Sequence, residues 1–139
     1  MYIPGVVFAL IGMVLWGFWA FFVKLALRDT STEPVLLLSY VVATVVIGVY
    51  ASIGLEESLG SLNLGVLGYT LAGGATAGLG TISYYVAIEN GSVSTTTTVT
   101  GLYFVVAAAL GMFLLGETIS ARRILGILFA IAAVVLIAG

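Results

Sequence analysis

Residues 6–27 read VVFALIGMVLWGFWAFFVKLAL, an apolar run interrupted by a single charge, Lys24, close to its end. A bilayer's hydrocarbon core of about 30 Å needs about 20 helical residues to cross it, and this run supplies them. Four more runs follow: 35–55, which carries no charge at all, then 64–88, 92–116 and 121–138. Barrel strands would alternate apolar and polar residues over about ten positions, whereas these runs are continuously apolar. In lipid the backbone must satisfy its own hydrogen bonds, so helix is the expectation for each. The predicted fold is all-α, an integral membrane bundle of five transmembrane helices forming one domain over residues 1–139.

The breaks between runs are short. Arg28-Asp29-Thr30-Ser31-Thr32-Glu33 is polar, and Pro34 suits the first turn of the helix that follows. Glu56 and Glu57 open a loop through Ser58, Gly60, Ser61 and Asn63. Glu89-Asn90-Gly91 reads as a tight turn with Gly91 just past a helix end, and Ser92 or Ser94 caps the next helix. Glu117-Thr118-Ile119-Ser120 joins the last two runs and ends on an N-cap. Met1 to Pro4 carries no cation, and 6–27 is too long for a signal-peptide core, so a retained span is expected.

Composition agrees. Hydrophobic residues make up 62% of the chain and charged residues 7%, with mean hydropathy +1.28, whereas a soluble domain carries about a quarter charged residues. Four Lys plus Arg against six Asp plus Glu leave a net charge of −2, which offers no basic patch for nucleic acid. The chain has neither histidine nor cysteine. Thiolate zinc sites, disulfides, haem ligation and His-dependent nucleophilic catalysis are thereby excluded. No cofactor, metal or enzymatic activity is expected.

Orientation is weakly instructed. With five spans, Lys24 and Arg28 fall on one side of the membrane and Arg122 and Arg123 on the other, so the positive-inside rule finds two cations against two. Either the balance is accidental, or the chain inserts both ways and pairs with an inverted copy of itself, building by association what many transporters build from internal inverted repeats. Small residues favour close helix packing: Gly73, Gly74, Gly78 and Gly80 in the third run, Ala107 and Gly111 in the fourth, Gly126 and Ala133 in the fifth.

The stretches GGATAGLGTISYYVAIENGSVSTTTT (73–98) and GLYFVVAAALGMFLLGETISARRILGILFAIAA (101–133) carry a resemblance. A glycine-rich helix ending in Tyr-Tyr-x-Ala, a Gly-Ser turn, a helix ending Leu-Gly-Glu and a last helix with Gly126 follow in that order. Leu15-Trp16-Gly17, with Lys24 seven residues after Gly17, fits the same pattern at the start. The chain resembles, over almost its whole length, an EamA-type repeat of the drug/metabolite transporter superfamily. It departs in having Phe104 where the family often has proline, and Ser39-Tyr40 where the family often has arginine. Family members commonly hold two such repeats, inverted, in one chain. The resemblance therefore implies a ten-helix assembly of two copies that moves a small metabolite or drug by alternating access.

The polar and aromatic residues inside the spans are the candidate substrate-binding residues: Trp16, Trp19, Lys24, Tyr40, Tyr84, Tyr85 and Tyr103. Lys24 either snorkels to the interface or faces a cavity and holds an anionic group, since an ionisable residue within a span is a functional candidate. Trp19 fits an interfacial anchor, while Trp16, near mid-span, fits a cavity wall. Each buried phenol needs a partner, a carbonyl or a ligand. Thr95 to Thr98 occupy four successive positions, covering every helix face, and are expected to bond back to their own helix. Glu117 is placed to favour the start of the last helix and to pair with Arg122 or Arg123. No carboxylate lies mid-span, which fits a neutral or zwitterionic solute better than proton exchange through a buried glutamate.

The expected partners are the lipid bilayer, a small-molecule solute and an inverted second copy. The expected location is a cell membrane, in the first place a prokaryotic plasma membrane. A non-transporting scaffold or assembly subunit, and a half-transporter requiring a different five-helix partner, remain the alternatives.

Overall fold

A computed structural model describes residues 3–53, 60 and 62–138, and among these there is no strand. The helices are α1 (Ile3–Ala26), α2 (Thr32–Ser52), α3 (Leu64–Asn90), α4 (Val93–Gly101), α5 (Tyr103–Leu114) and α6 (Ala121–Ala138). Among the described residues, four stretches are long and apolar enough to cross a membrane: Gly5–Ala26, Thr32–Ser52, Leu64–Asn90 and Val93–Leu114. The expected fifth run is present as α6, 18 residues long, or about 27 Å at 1.5 Å per residue. The predicted loop residues Glu56, Glu57, Ser58 and Ser61, and Leu55 at the end of the second run, lie outside the described residues.

Several boundaries move, each for a local reason. α2 begins at Thr32 rather than at residue 35, so Pro34 takes its third position. The first four N–H groups of a helix have no acceptor within it, so proline is tolerated anywhere in that turn. α3 continues through Glu89 and Asn90, and Gly91 does not take the left-handed conformation expected of it. The only positive-φ glycine among the described residues is Gly116, at 67°. Ser92 rather than Ser94 is the N-cap of α4, its hydroxyl accepting from the Thr95 N–H at 3.0 Å.

The expected run 92–116 is broken once, at Leu102. There the backbone stays right-handed (φ −66°, ψ −3°), but the Leu102 N–H bonds Val99 O at 3.1 Å and the Val105 N–H bonds Leu102 O at 2.8 Å. These are three-residue, 3₁₀-type closures that tighten the helix locally. The irregularity sits two residues before Phe104, so it does not depend on a proline there.

The chain divides into two compact units, Met1–Glu89 and Asn90–Gly139. In the first, the buried apolar residues are Ala20 and Val23 of α1, Val35 of α2, and Tyr84, Tyr85 and Ile88 of α3. They cluster toward the α1 C-terminus and the α3 C-terminus. Every residue of α3 from Leu64 to Gly80 is exposed, and a Cβ at Gly73, Gly74, Gly78 or Gly80 would meet nothing within 4 Å. Thr70 and Thr76 in that stretch return their hydroxyls to Val66 O and Ala72 O of their own helix.

In the second unit α4 packs against α6. α5 ends in a glycine cap: Gly111 O accepts from the N–H groups of Leu115 and Glu117, both at 3.1 Å, and Gly116 supplies the left-handed turn. The Glu117 side chain folds back over α5, where a Cβ at buried Gly111 would lie 3.0 Å from Glu117 Oε2. Thus Glu117 serves the end of α5 rather than the start of α6. Among the described residues it forms no ion pair with Arg122 or Arg123.

Candidate functional site

The first unit gathers its polar and aromatic side chains along one stripe of α3. Thr81, Tyr84, Tyr85 and Ile88 recur at the three-to-four-residue spacing that puts side chains on one helix face. Across from them, Trp19 of α1 stacks on Tyr84, with ring centroids 5.0 Å apart and planes 19° apart. It meets Tyr85 at 5.8 Å and 57°, and the two tyrosines lie edge to face at 6.5 Å. Such pairs contribute about 0.5–1.5 kcal/mol each beyond their contact area. That matters in lipid, where helix association gains nothing from removing apolar surface from water.

Tyr85 is the odd member. Its side chain is fully buried, at 0% exposure, and its hydroxyl has no hydrogen-bond partner among the described residues. An unmet buried hydroxyl costs about 1–3 kcal/mol. The same ring with a phenylalanine edge would pack as well without that penalty.

One turn and a half beyond Trp19 stands Lys24. Its ammonium donates to Ile88 O at 2.7 Å and to Glu89 O at 3.2 Å. These carbonyls belong to the last turn of α3, the negative end of the helix dipole, where a cation is favoured. Lys24 thus brings a charged donor from α1 to the last carbonyls of α3. Thr32, at the start of α2, donates its hydroxyl to Glu89 Oε2 at 2.6 Å and is itself buried. Residues from three helices thus meet at this end of the unit: Lys24, Thr32, Ile88 and Glu89.

Deeper along the stripe, Tyr40 Oη and Thr81 Oγ1 lie 2.6 Å apart and join α2 to α3. Thr81 lies about 13 Å along α3 from Asn90, inside the apolar candidate span Leu64–Asn90. Of the residues singled out from sequence, Trp19, Lys24, Tyr84 and Tyr85 stand together at the α3 C-terminus, and Tyr40 reaches the same α3 stripe from α2. Trp16 is 63% exposed and Tyr103, in the second unit, 61%. Three participants went unrecognised in the sequence: Thr81, Thr32 and Glu89. Thr81 was detectable as the position one turn before Tyr84 and Tyr85. Nothing in the local sequence marks Thr32 or Glu89, whose pairing depends on two chain segments meeting. No cluster of three or more His, Cys, Asp or Glu side chains able to hold a metal occurs among the described residues.

The model of the EamA-like transporter family matches residues 3–139. The chain is a member of that family. Membership makes this EamA-like protein a multi-pass membrane protein of a transporter family. No curated protein and no solved structure matches it. Chemically, the EamA-like site combines an aromatic wall, one buried hydroxyl able to donate and accept, and an ammonium with two carbonyls at the wall's outer end. That set puts polar groups beside an apolar aromatic surface and contains no nucleophile activated by a base.

Proposed function

We propose that this EamA-like protein is one half of a transporter, five spans including α6, that works as an inverted homodimer. By alternating access it moves a small polar or amphipathic metabolite or drug along a path that passes the Trp19–Tyr84–Tyr85 wall. It performs no catalysis and resides in a cell membrane.

The observation that carries the reading is the Tyr85 hydroxyl. A fold that only needed a packed ring would keep phenylalanine, so the retained hydroxyl is read as a group that meets the solute in another conformation. Further support comes from α3, where a Cβ at Gly73, Gly74, Gly78 or Gly80 would meet nothing within 4 Å among the described residues, leaving room for a second copy. The two-against-two division of cations supports insertion in both orientations.

Flux into proteoliposomes containing this protein alone tests the reading. Tyr85→Phe is expected to leave the folded yield unchanged or higher and to lower flux of the accepted solute at least tenfold, about 1.4 kcal/mol. Undiminished flux would remove Tyr85 from the path, and no flux of any solute from protein alone would favour a different partner or a scaffold role. With five spans, the Gly60 and Glu117 connections share one side. Cysteines placed at either are expected to label from both faces of intact cells; labelling from one face alone rules out dual insertion.

A further inference from the structure

The second unit holds a groove of about 330 Å³ between α5 and α6, lined by Phe104 and Ala108 on one wall and Arg123, Gly126 and Ile127 on the other. Small residues help make the space: Ala108 and Gly126 both line it, and a Cβ built at Gly126 meets nothing within 4 Å. The wall is apolar along its length except at one end, where Arg123 stands in the first turn of α6 with Arg122 beside it. From Ile124 to Ala138 the helix carries no further charge. Neither arginine is engaged by Glu117, whose carboxylate turns away over Gly111.

We infer that this groove binds an anionic phospholipid, with an acyl chain lying against Phe104, Ala108 and Gly126 and its phosphodiester on Arg123, flanked by Arg122. The polarity of the groove matches that of the ligand: apolar in the span, cationic at the level where headgroups lie. A basic residue near the membrane surface contributes about 1 kcal/mol toward an anionic headgroup, and basic pockets between spans bind such headgroups selectively. Neither a peptide nor a free anion fits both halves of the groove, since the first needs polar partners along its backbone and the second needs no apolar wall. This inference concerns the second unit alone and stands apart from the transport reading.

The test is retention of lipid by the purified full chain in detergent, mixed with equal amounts of phosphatidylglycerol and phosphatidylcholine and read by native mass spectrometry. Phosphatidylglycerol is expected to be retained in preference. Arg123→Gln is expected to lower that preference about fivefold, equivalent to the roughly 1 kcal/mol of one basic residue, and Arg122→Gln to lower it less. Gly126→Leu, which fills the groove while keeping both charges, is expected to lower phosphatidylglycerol retention without altering the folded yield. Equal retention of the two lipids, indifference to Arg123→Gln, indifference to Gly126→Leu, or displacement of the lipid by inorganic phosphate would each overturn the inference.

Discussion

Helices α3 and α5 each end an apolar candidate span, and their C-termini are closed in different ways. The end of α5 is closed from within: Gly116 turns left-handed, and Gly111 O collects the N–H groups of Leu115 and Glu117. The end of α3 is closed from outside: Lys24, some sixty residues earlier in the chain, holds Ile88 O and Glu89 O. A closure made within one segment opens only by unwinding that segment. A closure made across space opens when one helix tilts away from the other, with both helices intact. The α3 closure can therefore be released with both helices intact, whereas the α5 closure cannot.

Removing the cross-space closure is expected to have the largest effect. Lys24→Met leaves the two α3 carbonyls without their charged donor, a loss of about 1.5–3 kcal/mol. The lower unfolding midpoint in a denaturing-detergent titration should be accompanied by faster hydrogen exchange over residues 86–90 and unchanged exchange over 111–117. If both ends loosen together, they are not independently closed and the contrast fails. Gly116→Val sharpens it from the other side. A branched side chain at φ 67° costs about 1–2 kcal/mol, and the exchange change should be confined to 111–117. On the transport reading proposed above, flux per folded molecule should survive this substitution.

The same contrast explains what was legible in the sequence. Apolar runs and their polar breaks place the spans within a few residues, because length and hydropathy are properties of a segment by itself. The N-cap of α4 is equally local, and Gly-Ser narrows it to Ser92 or Ser94. The left-handed cap expected at Gly91 occurs instead at Gly116, where the sequence marks only the end of a run. The stacking of Trp19 on Tyr84 and the partnership of Thr32 with Glu89 are products of helix juxtaposition, which no window of sequence contains. The break at Leu102 was hidden for another reason: no proline marks it, and its two short closures involve only backbone.

Tyr40→Phe is the control, and its expected effect is the smallest. The Tyr40–Thr81 bond crosses from α2 to α3 as Lys24 crosses from α1, but it joins two neutral hydroxyls within the spans rather than a charge to a helix end. Interhelical hydrogen bonds between such groups in lipid average about 0.6 kcal/mol. The reason lies in the alternative open to Thr81, which can return its hydroxyl to the carbonyl of Ala77, as Thr44, Thr70, Thr76 and Ser83 already do four residues back. Tyr40→Phe thus leaves no orphan donor, whereas Lys24→Met removes a charged donor from two carbonyls in the last turn of α3. The midpoint should fall by only a few tenths of the Lys24→Met loss, with exchange at both helix ends unchanged. A loss as large as that of Lys24→Met would mean that α3 is held at its middle, and that its C-terminus is free to move without Lys24 letting go.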